Sequence, residues 1–243
     1  MSPRIAGATA ARVLRQLRHD PRTIALVLVV PVVLVTLIKY VFRWSPVFDR
    51  IGGPLLGVFP LISMFLVTSI TMLRERTTGT LERLMTMPLA KLDLLAGYAA
   101  AFALVAAAQA VLVSSVAFWL LDLHVAGAKW AVVLLAVGNA VFGTSLGLFV
   151  SAFARTEFQA VQFLPAFVFP QLLVCGLLTP RDHMARFLEV VSWGAPLTYA
   201  YDALYRTTRA VYGARLAVDV AAVVGLTAVA LLAGALTLRR RTR

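Results

Sequence analysis

Five stretches of the chain run without a single charged residue: Ile51 to Leu73, Leu94 to Leu121, Trp130 to Ala154, Phe158 to Pro180 and Val220 to Leu238. Each is close to or longer than the ~20 residues that cross a bilayer as an α-helix. Backbone N–H and C=O groups in hydrocarbon must be satisfied internally, so apolar stretches of this length read as helices. A sixth, Thr23 to Ile38, is shorter and extends past Lys39 to Phe42, the lysine reaching outward along its aliphatic stem. Only 14% of residues are charged and mean hydropathy is +0.86, whereas globular domains carry roughly 25% charged residues. The reading is an all-α polytopic membrane protein. It forms one domain over residues 1–243, with six transmembrane helices at 23–42, 51–73, 94–121, 130–154, 158–180 and 217–238.

The formal net charge of +12 would suggest nucleic acid in a soluble protein. Here the arginines cluster at the ends of apolar runs, so the expected partner is anionic lipid headgroup and not nucleic acid. The single cysteine, Cys175, lies inside an apolar run; it supports no disulfide framework and no metal-ligand cluster, and reads as a small buried hydrophobe. The first residues do not resemble a cleaved signal peptide, because five arginines precede a long apolar run without a small-residue cleavage site.

Residues 1–22 combine Arg4, Arg12, Arg15, Arg18 and Arg22 with Ile5, Val13, Leu14 and Leu17. From about Ala8 to His19 they predict a helix with a basic face and an apolar stripe, suited to the membrane surface. Asp20-Pro21 ends it. Pro31 falls within the first span, and a short loop with Trp44, Pro46, Asp49, Arg50, Gly52 and Gly53 follows. In the fourth span Gly143-Thr144-Ser145-Leu146-Gly147 is a small-xxx-small pattern that lets another helix approach closely. Pro165 and Pro170 in the fifth span free backbone carbonyls, which must be buried against protein or face a wet cavity. Residues 181–216 are too polar to span and too aromatic for a plain linker. Leu197, Tyr201, Leu204 and Tyr205 recur at helical spacing after Pro196, predicting two short interfacial or re-entrant helices before the last span.

Basic residues assign the sides. Five arginines before Thr23, four basic residues over 74–91, Arg155 and four arginines after Leu238 make 14 of the 23 Lys and Arg on one side, which the positive-inside rule places in the cytoplasm together with both termini. Trp44, Trp119, Trp130 and Trp193 all fall on the opposite side, as members of an interfacial aromatic belt would.

The five long runs contain no ionisable acid or base, which disfavours intramembrane catalysis and ion-coupled transport. None of Lys39, Lys91 and Lys129 follows a glycine, so there is no GxxxxGK[ST] phosphate loop. Any energy source for active transport is expected on another polypeptide.

Three segments carry a resemblance: ERTTGTLERLMTMPL at 75–89, FARTEFQAVQFLP at 153–165 and APLTYAYDALYR at 195–206. In order and spacing they resemble the membrane subunits of type-2 ATP-binding-cassette exporters, in particular the daunorubicin-resistance-like multidrug-efflux permeases. The resemblance implies a bacterial plasma-membrane exporter with two permease chains, each bound to a soluble ATPase subunit that holds ATP and magnesium, with no cofactor or metal on this chain. It also implies that residues 1–22 form a connecting helix, that 74–91 form a cytoplasmic coupling helix resting on the ATPase, and that Pro196, Tyr199 and Asp202 belong to short external helices capping the outlet.

The residues suit these roles. Thr78-Gly79 permits a turn, and Thr80 or Thr77 can cap a following helix that Pro88 ends. Leu81, Leu84 and Met85 give an apolar face, while Arg74, Glu75, Arg76, Glu82 and Arg83 supply charges for docking and for the basic N-terminal helix. Phe59, Ser63 and Met64 on the second span and Phe163, Phe167 and Gln171 on the fifth are candidates for the passage, since aromatic and thioether groups accept varied apolar cargo. Three functions fit the residues: an exporter permease for hydrophobic drugs or antibiotics, the same machine moving a lipid, glycolipid or polysaccharide precursor, and an unpowered channel, carrier or scaffold.

Overall fold

A computed structural model describes residues 3–42, 47–80, 83 and 91–237, with the side chains of residues 91 and 92 excepted. Among the described residues every regular element is helical, and six helices are long and apolar enough to cross a membrane. They are α2 (Pro21–Val41), α3 (Val47–Thr77), α4 (Lys91–Trp119), α5 (Lys129–Val150), the broken fifth span from Glu157 to Val174, and α10 (Ala214–Leu236). The fifth comprises α6 (Glu157–Phe163), a π-helical turn (Leu164–Val168) and α7 (Phe169–Val174). The amphipathic α1 (Pro3–Arg18) precedes the spans; α8 (Arg186–Trp193) and α9 (Pro196–Thr208) lie between the fifth and the last. Trp44, Pro46, Leu81, Glu82 and the arginine-rich tail lie outside the described residues.

Several boundaries differ from the sequence expectation, each for a local reason. α1 starts at Pro3, five residues before the predicted Ala8, because proline is preorganised for a first turn. Its apolar stripe, Ala10, Val13 and Leu17, is buried against Leu94, Tyr98 and Phe102 of α4 and is not left for the membrane surface. Gly97 allows this approach: a Cβ there would stand 2.7 Å from the Ala6 carbonyl oxygen. Asp20 caps α2, accepting from the Thr23 N–H at 3.2 Å and the Thr23 hydroxyl at 2.6 Å. These bonds favour the ionised carboxylate and hold it below the ordinary Asp range.

Asp49, Arg50, Gly52 and Gly53, expected in a loop, are inside α3. The two glycines are spacers, not turn residues. A Cβ at Gly53 would lie 2.2 Å from Thr208 of α9, and one at Gly52 2.8 Å from Leu123. At the other end α3 continues past the expected Leu73 to Thr77. Its 31 residues make a rod of ~46 Å, longer than the ~30 Å hydrocarbon core. The paired prolines of the fifth span resolve as the π turn, in which the Phe169 N–H reaches back to the Leu164 carbonyl.

α3, α4 and α5 form the centre, while α2, the fifth span and α10 expose most of their apolar surface. Between spans, the tightest contact is that of α3 and α5. A Cβ at Gly143 would meet the Leu61 carbonyl oxygen at 2.2 Å, and one at Gly147 the Phe65 carbonyl oxygen at 2.6 Å. The small-xxx-small pattern thus sets two backbones in contact. Gly138, on the same helix, has nothing within 4 Å of its Cβ position.

Gly143→Ala is therefore expected to destabilise the chain by about 1–3 kcal/mol, because backbone atoms must part. Gly138→Ala is expected to be neutral or to stabilise by about 0.5–1 kcal/mol through helix propensity. Thermal unfolding of the two variants in one detergent measures the contrast.

Candidate functional site

At the far end of α3, three consecutive residues reach three different elements, because successive helical side chains fan out by a hundred degrees or so. Arg74 makes a bidentate pair with Glu157 at the start of α6, Nε to Oε1 at 2.6 Å and Nη2 to Oε2 at 3.0 Å. Glu75, only 3% exposed, receives Arg12 of α1, Nη1 to Oε1 at 3.4 Å. Arg12 also donates through Nη2 to the Tyr98 hydroxyl of α4. Arg76 donates to the Thr237 hydroxyl just after α10 at 3.3 Å. One turn of helix thus holds the amphipathic α1 and the ends of the fifth and sixth spans.

The hub ends at Thr78-Gly79. Thr78 Oγ1 donates to the Arg74 carbonyl at 2.8 Å, and Gly79 takes φ +73°, the left-handed conformation that favours glycine. Beyond it the Arg83 N–H donates to the Gly79 carbonyl at 3.0 Å. Thr77, Thr78, Thr80 and Arg83 surround this turn. Glu75 is turned inward, so its charge is engaged within the chain.

The passage candidates distribute unevenly. Met64 is fully buried in the core, and Phe59 packs among side chains of the first, third and fourth spans. Ser63 faces a groove of ≈380 Å³ between α1, α2 and α3, whose walls are Val27, Val30 and Val67 and whose polar end holds Asp20 and Arg74. Phe163 lines an open hollow of ≈790 Å³ with Gln159, Gln162 and Arg155. Phe167 is 40% exposed. Gln171 instead joins two elements: its Oε1 accepts from the Leu197 N–H at 3.1 Å, and its Nε2 donates to the Phe167 carbonyl at 2.9 Å. It thereby satisfies an otherwise orphaned N–H at the start of α9.

Two buried amides that sequence reasoning passed over do structural work inside the bundle. Gln109 of α4 donates to the Val27 carbonyl at 2.6 Å and to Ser63. Asn139 of α5 donates to the Ala200 carbonyl of α9 at 3.0 Å. Each is the lone amide in its run, and that isolation was the available signal.

The opposite end is built around α9. Its Leu204 fills the space left by Gly57 and its Thr208 that left by Gly53. Asn139 lies ten residues into α5, so Ala200 sits ~15 Å in from the start of that helix. Pro196 opens α9, the Tyr199 hydroxyl donates to the Trp193 carbonyl at 2.7 Å, and Asp202 pairs with Arg181. Burial pushes the Asp202 carboxyl up from its ordinary range, while the Arg181 guanidinium opposes the shift. Asp219, completely buried, accepts from Arg206 Nε at 3.1 Å. It lies in the second turn of α10, which starts at Ala214, so the last helix carries an acid that the uncharged run from Val220 did not include.

The three sequence segments therefore fall into two places. The described start of that at 75–89 lies at the hub, where the preceding Arg74 pairs with Glu157 of that at 153–165, and that at 195–206 forms most of α9 at the other end.

Comparison with known proteins agrees with this architecture. The family described as "ABC-2 type transporter" matches residues 6–207. The chain is 29% identical over 151 residues to "Probable multidrug ABC transporter permease YbhR" of Escherichia coli, a match covering 61% of this chain and 40% of that protein. It is 26% identical over 138 residues to "ABC transporter G family member 20" of Dictyostelium discoideum, covering 57% of this chain and 19% of that one. The matched region is thus less than half the length of either curated relative. With six apolar helices in one bundle and a family match that runs from α1 through α9, this chain belongs to the ABC-2 type transporter family.

Proposed function

We propose that the chain is the membrane subunit of an ATP-driven exporter. It works as two copies, each with a separate soluble ABC ATPase subunit, and moves hydrophobic drugs or antibiotics outward by alternating access. The hub at the end of α3 carries this reading. Force applied to the segment beyond Gly79 would pass at once to α1, to the fifth span and to the last span. The word "multidrug" in the E. coli relative's name supports the cargo class.

In this proposal the hub, residues 74–91 and both termini are cytoplasmic in a bacterial plasma membrane. The majority of basic residues on that side supports it, and so does the position of Trp119, Trp130 and Trp193, at least 40% exposed at the other end. Residues 74–80 and 83 with Leu81 and Glu82 form the coupling surface, of which Glu75 serves internally by fixing α1. The α9 cap, penetrating ~15 Å beside α5, is read as a re-entrant plug at the outlet. Phe163, Phe167 and the groove beside Ser63 are read as cargo contacts, with a second copy closing the path; Met64, Phe59 and Gln171 are read as packing and joining residues.

Three measurements test this. Co-purification with a soluble ATPase whose hydrolysis rises with hydrophobic drug is expected; stimulation by lipid or glycolipid alone would replace the cargo assignment, and no bound ATPase would remove the exporter reading. Gly79→Pro cannot take φ +73°, and Glu82→Arg reverses a charge at the coupling segment. Each is expected to lower export by roughly tenfold or more while insertion and ATP hydrolysis persist; export at the wild-type rate by both would sink the coupling role. Arg12→Gln, which strands the buried Glu75 carboxylate, is expected to cost about 1–3 kcal/mol of stability. Adding Glu75→Gln should recover part of the loss, and a thermal-unfolding double-mutant cycle reads that coupling.

A further inference from the structure

At the end of the bundle where α3 begins, a pocket of ≈290 Å³ opens between the start of α3, the segment after the fifth span and α9. Four arginines line it: Arg50, Arg181, Arg206 and Arg209. Tyr201 and Tyr205, stacked with ring centroids 5.6 Å apart, form part of its wall. Acidic residues balance only half of this charge. Asp202 pairs with Arg181, and Asp219 with Arg206. Among the described residues no carboxylate pairs with Arg50 or Arg209, both exposed; Arg209 stacks its guanidinium 4.4 Å from the Tyr205 ring centroid. Asp49, beside Arg50, accepts from the His124 N–H at 3.2 Å; it shares an adjoining hollow with Arg50 and Arg209 but forms no ion pair with either.

Concentrating four guanidiniums in one small concavity is unfavourable unless an anion neutralises them. Arg181 also keeps a buried Nη1 without a hydrogen-bond acceptor among the described residues. The planar fork of arginine matches phosphate oxygens, and the paired acids hold Arg181 and Arg206 in fixed orientations. The volume is at the small end of the roughly 300–1,000 Å³ of ligand sites, which suits a headgroup and not a whole lipid.

We propose that this pocket binds a phosphate group, with Arg50 and Arg209 supplying the uncompensated charge and Arg181 and Arg206 the preoriented donors. The phosphate has two possible sources, an anionic phospholipid headgroup at the membrane surface or phosphate from solution. Neither the family assignment nor the exporter reading requires such a site.

The test uses the purified full chain in an uncharged detergent, following thermal unfolding while titrating short-chain phosphatidylglycerol, inorganic phosphate and, as a phosphate-free control, short-chain diacylglycerol. Saturable stabilisation by phosphatidylglycerol but not diacylglycerol is expected. Arg50→Gln/Arg209→Gln should move the midpoint to roughly tenfold higher concentration, while Arg186→Gln, an exposed arginine outside the pocket, should leave it unchanged. Stabilisation by inorganic phosphate as well assigns the source to solution; stabilisation by the lipid alone assigns it to headgroups. An independent measurement on the unmutated chain is protection of Arg50 and Arg209 from phenylglyoxal by the same ligands, read by mass spectrometry. The proposal is overturned if neither phosphate ligand stabilises the chain or protects these arginines. It is equally overturned if the double variant responds like the wild type, or if Arg186→Gln loses as much.

Discussion

The backbone contact between α3 and α5 at Gly143 and Gly147 is the constraint on which the other elements depend. In a bilayer there is no hydrophobic drive to bring two apolar helices together, so their association rests on close packing. With no Cβ at these two positions the α5 backbone can rest directly on the Leu61 and Phe65 carbonyls. That contact holds α3 upright in the centre, and α3 presents a distinct set of partners at each end. Gly52, Gly53 and Gly57 continue the same device toward its beginning, where they admit Leu123, Thr208 and Leu204.

α3 thereby links two chemically different ends. Arg76, at the hub, is 23 positions beyond Gly53, beside α9, or ~35 Å of helix. At one end the contacts are hydrogen bonds and ion pairs reaching α1, α6 and the last span; at the other Leu204 and Thr208 of α9 lodge against glycines. The exposed Arg74–Glu157 pair, more than half solvent-accessible on both sides, is worth little as stability. Its significance is geometric, since it joins the helix that leads to the Gly79 turn with the proline-broken fifth span. A π turn, one residue wider than an α turn, follows about two turns beyond that joint.

Three amides join elements of the bundle. Gln109 and Asn139 each reach a backbone carbonyl on another helix, and Gln171 accepts from the first turn of α9. Each bond compensates for taking an amide out of water and fixes the depth of one element relative to another. Near the ion pair of Arg181 and Asp202, the guanidiniums of Arg181 and Arg215 stand 4.7 and 4.5 Å from the ring centroid of Trp193.

The apolar runs by themselves determined a helical chain with six spans, because continuous apolar stretches near twenty residues match a helix across hydrocarbon, whereas a barrel strand needs only about ten. Asp20-Pro21, Gly79 and Gly143/Gly147 were also legible, since capping, left-handed φ and close approach each demand particular residue types in a local pattern. Tertiary structure alone decided that Gly52 and Gly53 are spacers inside a helix and not loop residues. It also chose Arg12 among the N-terminal arginines as the partner of a buried Glu75, buried Met64 in the core, and gathered four arginines from three separated segments around one pocket. These outcomes depend on which residues from distant parts of the chain share a surface, and one-dimensional periodicity records only the face of a helix, never the neighbour that covers it.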